Sequence, residues 1–394
     1  VLISILSTVA FTFIAYLTIG LSLAVLPGFV HSNLGYGAML AGLAISMQYV
    51  ATLLSRPHAG RMADSKGPKR TVMTGLAMCA VSGALLALGA LCSHWPVLSL
   101  ALIFIARLAL GCAESCVGTG AIAWGMGQVG HQHTARVISW NGVATYGALA
   151  AGAPLGVLIQ QHFGFAAIGI VSLLLPTIAL PLARLKRATT VEHGERSPFR
   201  TVATRVVPYG IGLALGSIGF GCIATFITLF YASHGWDNAA LTLTVFGGVF
   251  VGVRFVLART INWFGGYRVA MVSLAVEAIG LITLCVASHA WVAIAGAAIA
   301  GLGFSLVFPA LGVEAVHRVP PNSRGSALGV YSVFMDVAMA VTGPLGGWIA
   351  SGMGYNAIYG FAAVAAMLSI VLTLVLHAQA ARDVPSLIAA PADP

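Results

Sequence analysis

Charge is what this chain has least of. Of its 394 residues only 7 % are charged, while 59 % are apolar. A folded chain of that length with so little charge has nothing polar enough to cover its surface in water, which excludes a soluble globular domain. Its solvent is lipid, where an ionisable group is costly, so the positions of the few charges carry functional weight. Other absences narrow the class further. There is no G-x-x-x-x-G-K-[ST], no H-E-x-x-H and no G-x-S-x-G, so the chain reads neither as an ATP-driven pump nor as an enzyme. The cysteines Cys79, Cys92, Cys112, Cys116, Cys222 and Cys285 fall within or at the ends of apolar runs. Their spacings fit no metal site and no disulfide framework, and they read as small packing residues. No cofactor and no metal is expected. Residue 1 is Val rather than Met, so a trimmed N-terminus is expected, and the first apolar run is too long and too studded with polar groups for a cleavable signal.

What is there is length in apolar runs. A hydrocarbon core about 30 Å thick takes roughly 20 apolar residues per helical crossing. Polar breaks divide the chain into twelve such spans, near 4–27, 36–57, 71–92, 96–120, 136–160, 165–185, 206–232, 238–260, 267–288, 290–314, 325–350 and 355–378. The polar segment 186–205, with Lys186, Arg187, Glu192, Glu195, Arg196 and Arg200, splits them six and six. The expected organisation is an N-terminal half over 1–185, a cytoplasmic linker over 186–205 and a C-terminal half over 206–394. The fold class is all-α membrane protein, with two pseudo-symmetric six-helix halves.

The Lys and Arg residues then sort to one side. Arg61, Lys66, Lys69 and Arg70 follow span two, Arg136 opens span five, and Arg184 to Arg205 occupy the centre. Arg259 and Arg268 follow span eight, Arg318 and Arg324 follow span ten, and Arg382 lies in the tail. Arg56 and Arg254 close spans two and eight on the same side, and the opposite loops carry neither Lys nor Arg. By the positive-inside rule that side, with both termini, faces the cytoplasm of a bacterial inner membrane. The net charge of +9 is thereby explained by anionic lipid rather than by nucleic acid.

The second half repeats the first. A shift of 198 residues places Ser55-Arg56-Pro57 over Val253-Arg254-Phe255, Asp64 over Asn262, Gly67 over Gly265 and Arg70 over Arg268. Gly152-Ala153-Pro154-Leu155-Gly156 in span five parallels Thr342-Gly343-Pro344-Leu345-Gly346 in span eleven.

A few residues stand out by chemistry. In Gly60-Arg61-Met62-Ala63-Asp64-Ser65-Lys66-Gly67-Pro68-Lys69-Arg70, Gly60 is expected to permit close helix approach and Gly67-Pro68 to make a tight turn. Asp64 is a lone carboxylate among cations. Arg107 lies mid-span four, where it must face the interior and meet a carboxylate or a wet cavity, and Glu114 follows two turns later on the same face. Asp336 sits centrally in span eleven with no cation nearby in sequence, so it reads as an unpaired acid whose proton affinity depends on which way the cavity faces. Glu277 is expected to be paired structurally, and Glu314 to pair with Arg318 or Arg324. Tyr16, Gln48, Trp140, Asn141, Tyr146 and Tyr331 are candidates for lining a substrate cavity.

The segment from Gly60 to Arg70 resembles the loop 2–3 signature of the major facilitator superfamily, G-x-x-x-D-x-x-G-x-[RK]-[RK], with every position met. The run from Arg107 to Gly111 is similar to that family's span-four motif. The stretch with Gly147, Gly152, Pro154 and Gly156 is similar to the antiporter motif of its exporters. The stretches Ala24-Val25-Leu26-Pro27-Gly28 and Phe304-Ser305-Leu306-Val307-Phe308-Pro309 extend the resemblance to an exporter group of the YhhS/YfcJ type. That resemblance implies the superfamily's fold and proton-coupled export of a small polar or amphipathic solute by a monomer. Proton coupling is expected through Asp336 and Glu114 from their positions, and through Arg107 from the likeness of its run to the span-four motif. The resemblance also implies a conformational latch of Gly60, Asp64, Gly67, Lys69 and Arg70, with Arg56 and Arg254 beside it. Because Asn262 stands where the second copy would carry the Asp, the latch is expected to be one-sided. A proton symporter importing a metabolite and a non-transporting membrane sensor remain as alternatives.

Overall fold

The computed structural model describes residues 1–130, 133–189, 199–257, 259–320 and 324–388, and all regular structure among them is helical. Twelve helices are long and apolar enough to cross a membrane. They are α1 (Leu2–Leu23), α2 (Ala38–Lys66), α3 (Pro68–Leu91), α4 (Pro96–Val129), α5 (Thr134–Phe163) and α6 (Phe165–Leu185), followed by α7 (Phe199–Ser233), α8 (Ala239–Leu257), α9 (Gly266–Cys285), α10 (Ala290–His317), α11 (Arg324–Met353) and α12 (Tyr355–Ile388). Lipid cannot hydrogen-bond a free N–H or C=O, so each crossing satisfies its backbone internally as a helix. The expected linker is shorter than its polar stretch, because α7 begins at Phe199. Glu192, Glu195 and Arg196 lie outside the described residues.

Turn chemistry ends the helices where the sequence breaks. The α2–α3 connection is Gly67 alone, at φ +89°, a conformation open to glycine, followed by Pro68 at the first helical position. At the 198-residue repeat position Gly265 sits at φ +81° before α9. The two halves therefore turn the same corner with the same residue.

Packing repeats as well. In the first half α1 packs on α5, α2 on α4, and α3 on both α4 and α6. In the second half α7 packs on α11, α8 on α10, and α9 on both α10 and α12. Each pair in one set has its counterpart in the other. The two sets meet where α2 packs on α11 and α5 packs on α8.

Candidate functional site

Between the halves, α2 and α11 run antiparallel along a rail of small residues. A Cβ on Gly42 would lie 2.0 Å from the carbonyl oxygen of Gly343, and one on Gly347 would lie 2.4 Å from that of Ala38. One turn further along, the Ser46 hydroxyl donates to the Met339 carbonyl at 3.4 Å. Only residues without bulk allow backbones this close, and in lipid such contact is the main source of helix affinity. The rail occupies the ends of α2 and α11 that lie on the uncharged face of the protein. On that face too, Thr228 of α7 donates to the Ala24 carbonyl at 2.9 Å. The halves are thus closed towards the loops without Lys or Arg.

Past the rail, towards the cationic face, the two halves exchange charge. The Arg56 guanidinium on α2 meets Asp336 on α11, with Nη2 at 2.5 Å and Nε at 2.7 Å from the same carboxylate oxygen Oδ2. Asp336 is buried and Arg56 partly exposed. This corrects the reading of Asp336 as an unpaired acid. Its partner lies 280 positions away and belongs to the other half, so sequence proximity could not reveal it. It also moves Arg56 from the rim of a loop into the centre.

Around this pair the site is built from both halves. Glu114 on α4 accepts from the Gln48 amide at 2.8 Å and the Thr52 hydroxyl at 3.0 Å, both on α2. Arg254 on α8 lies over the rings of Tyr146 on α5 (4.6 Å) and Phe250 (5.3 Å), so it stands at the interface between the halves. The Tyr146 hydroxyl reaches Met335 Sδ at 3.4 Å, and its ring packs edge-on against Phe308. Tyr16, Tyr146 and Glu114 all stand within electrostatic range of Arg56 and Asp336. Two cations, two carboxyl groups and two tyrosines thus gather where the halves meet.

A family model described as the Major Facilitator Superfamily matches residues 8–274 and 263–392. The chain belongs to the major facilitator superfamily. Among its relatives are an uncharacterized MFS-type transporter of Burkholderia mallei (strain SAVP1), 57 % identical over 378 residues with 96 % of this chain and 93 % of the relative covered. Another is an uncharacterized MFS-type transporter of Pseudomonas aeruginosa (strain UCBPP-PA14), 54 % identical over 382 residues with 97 % and 95 % covered. Solved structures share the fold. A D-xylose-proton symporter superposes with a TM-score of 0.76 at 14 % identity, over 93 % of this chain and 96 % of its own. The human organic anion transporter MFSD10 (TETRAN) does so with a TM-score of 0.65 at 17 % identity, over 94 % and 99 %.

The remaining superfamily motifs separate into those that join the interface and those that stay inside one half. Gly147, Gly152, Pro154 and Gly156 lie on α5. A Cβ on Gly156 would stand 1.9 Å from the Leu21 carbonyl and one on Gly152 2.8 Å from Gly20, so these two glycines pack α5 onto α1, while Gly147 faces open space. The repeat position Gly346 packs α11 onto Phe226 of α7 in the same manner. Trp140 packs against a cluster of Ile5, Val9, Val137 and Ala144, and Asn141 accepts from Thr12 of α1 at 2.7 Å. The Tyr331 hydroxyl donates to the Phe308 carbonyl at 3.0 Å. In the α2–α3 signature, Asp64 and Arg70 are exposed, and Lys69 donates to the terminal carbonyls of α6 at Arg184 and Lys186, each at 2.7 Å. Gly60 does not serve close approach, because a Cβ there would meet nothing within 4 Å.

Three further charged residues have defined surroundings. Glu314 accepts from the Gly266 backbone N–H at 2.9 Å, capping α9, while the side chain of Arg324, one of its two expected partners, lies outside the described residues. Glu277 is buried in the second half, and neither of its carboxyl oxygens has a hydrogen-bond partner. Arg107 faces the interior and makes no hydrogen bond to Glu114, two turns along the same helix, although Glu114 stands within its electrostatic range. Arg107 turns into the core of the first half, where its Nη1 donates to Ser22 at 2.7 Å. The interface rail went unread in the sequence, although both strings were visible as small residues four apart: Ala38, Gly42 and Ser46, and Gly343 with Gly347.

Proposed function

We propose that the chain is a proton-coupled antiporter that exports a small polar or amphipathic solute by alternating access, working as a monomer. The observation that carries the reading is the Arg56–Asp336 pair, which ties one half to the other through a single carboxylate oxygen. A proton and the Arg56 guanidinium compete for that carboxylate. Protonation weakens a contact between the halves, and re-formation of the contact expels the proton, so proton occupancy and domain position are linked. The halves are closed on the uncharged face, which the distribution of Lys and Arg assigns to the periplasm. In this conformation pairing discharges the proton towards the cytoplasm, and the vacated centre receives solute from the same side. Export is favoured by the span-five motif. Import by symport uses the same pair in the reverse order of loading.

The test is proton release from purified protein in weakly buffered detergent on addition of polyamines, sugars, zwitterionic metal chelators or anionic amino-acid analogues. A solute that releases protons from the wild type and none from Asp336→Asn fits the proposal. Release that is unchanged in Asp336→Asn would move coupling to Glu114. Flux in inverted against right-side-out vesicles then separates export from import.

A further inference from the structure

Arg56 and Arg254 occupy equivalent positions in the two halves, yet only one of them meets a carboxylate. The register that sets Arg56 over Arg254 puts α2 over α8, and the register that sets Pro154 over Pro344 puts α5 over α11. In the second register Tyr146 falls on Asp336, eight residues before each proline. The two packings that join the halves, α2 on α11 and α8 on α5, are therefore counterparts. In the first, Arg56 meets Asp336. In the second, Arg254 lies over the ring of Tyr146 at 4.6 Å. A tyrosine stands where the matching tie has its acid.

Arg254 is partly exposed, and among the described residues it makes neither a hydrogen bond nor an ion pair. The titratable groups within its electrostatic range are Tyr146 and Tyr331, and neither Asp336 nor Glu114 is among them. A ring face attracts a guanidinium but offers no oxygen to its N–H donors. The one oxygen on Tyr146 is turned to Met335 Sδ at 3.4 Å. The other charges of the centre are already matched, Arg56 by Asp336, while Glu114 accepts from Gln48 and Thr52. One positive charge is thus left over, and its surroundings are aromatic. Phe250 lies 5.3 Å from it, the Tyr146 ring stands edge-on to Phe308 at 5.6 Å, and Phe308 packs on Tyr331 at 5.1 Å. A guanidinium set in such a group selects a flat, singly charged oxyanion attached to an apolar body.

We infer that Arg254 is the residue that recognises the solute, and that the solute class is a monocarboxylate on an aromatic or apolar body. Its carboxylate does at Arg254 what Asp336 does at Arg56, and its body lies against Tyr146, Phe250 and Phe308. Binding then completes the second tie between the halves, so solute occupancy is linked to domain position as proton occupancy of Asp336 is in the first. The inference rests on the reading of this centre as a transport site, but not on proton coupling or on direction.

Calorimetric titration of the purified protein at about pH 7.5, where free carboxylic acids are ionised, tests it without any transport assay. The probes are benzoate, 3-phenylpropionate, 4-phenylbutyrate and cyclohexanecarboxylate, each beside its primary amide, which keeps the shape and loses the charge. The expected result is that at least one acid binds tenfold or more tightly than its amide. Arg254→Gln should remove that preference. Tyr146→Asp, which supplies the second tie with a carboxylate from the chain itself, should abolish binding of the acid. Amides bound as tightly as their acids, or no acid bound at all, would overturn the inference. So would an undiminished preference in Arg254→Gln, or acid binding unchanged in Tyr146→Asp. If Arg254→Gln does not fold, the wild-type comparison and Tyr146→Asp decide the matter alone. Acid binding that depends on Arg254 yet releases no proton would leave this inference standing and count against antiport. Proton release by polyamines or sugars, with no acid bound, would do the reverse.

Discussion

Asp336 and Arg56 show what a single charge does in a chain that has so few. Removing one member of a buried pair leaves the other unpaired, a loss of about 3–5 kcal/mol, whereas replacing both with apolar groups is often close to neutral. Arg56→Leu or Asp336→Leu alone should therefore lower the unfolding midpoint well below wild type. The double variant should recover most of that loss while remaining inactive in proton-coupled transport, as measured by thermal unfolding beside flux in vesicles. A second charge reports on the border of the membrane. Lys186, just beyond α6, donates to the Ser7 hydroxyl at 2.6 Å and to Thr8, and lies 5.4 Å from the Trp124 ring centroid. Burial pushes its ammonium down to about 8. A lysine whose folded value is lowered binds fewer protons in the docked state than in the free one. Docking of this segment onto α1 therefore strengthens as pH rises from about 8 towards the ordinary lysine value, and no such gain is present below that window. Labelling of Lys186 with an amine reagent, followed by mass spectrometry, should titrate with a midpoint near 8.

At the scale of elements, the contact between α2 and α11 depends on missing side chains. Gly343→Val would place carbon atoms against Gly42 and Ser46, where even a Cβ stands 2.2 Å from the Gly42 carbonyl oxygen. Overpacking of this kind typically costs about 1–3 kcal/mol. Here the helices can relieve it by separating, so the variant should favour the conformation open on the uncharged face. Cysteine at Ser46, now buried under α11, should then become reactive to a membrane-impermeant thiol reagent added from that face, in a background without native cysteines. The sequence made the helices themselves legible, because twelve apolar runs between polar breaks leave little alternative in lipid. It also showed the repeat, whose Gly67 and Gly265 turn alike. What it could not show is which face of a helix meets which partner. Arg107 and Glu114 share a face by spacing, yet one enters the core of a half and the other hydrogen-bonds α2. Asp336 has no cation nearby in sequence, yet one waits across the interface. In a chain that is apolar on almost every helix face, periodicity carries little information about direction, and only close approach between glycines fixes it.

At the scale of the whole molecule, the proposed function has the two halves act as a single switch with a proton-sensitive tie across it. The α2–α11 rail closes the uncharged face, and the Arg56–Asp336 pair holds the same two helices together nearer the cationic one. Losing the pair should loosen the rail, so acid should open the uncharged face even when no solute is present. The most direct measurement is the distance between spin labels at Met39→Cys and Trp348→Cys, exposed positions beside the rail on α2 and α11, followed against pH in lipid nanodiscs. The distance should lengthen as pH falls in the wild type, and in Asp336→Asn it should already be long and insensitive to pH. A distance independent of pH in the wild type, or an unchanged pH response in Asp336→Asn, would contradict the proposed function.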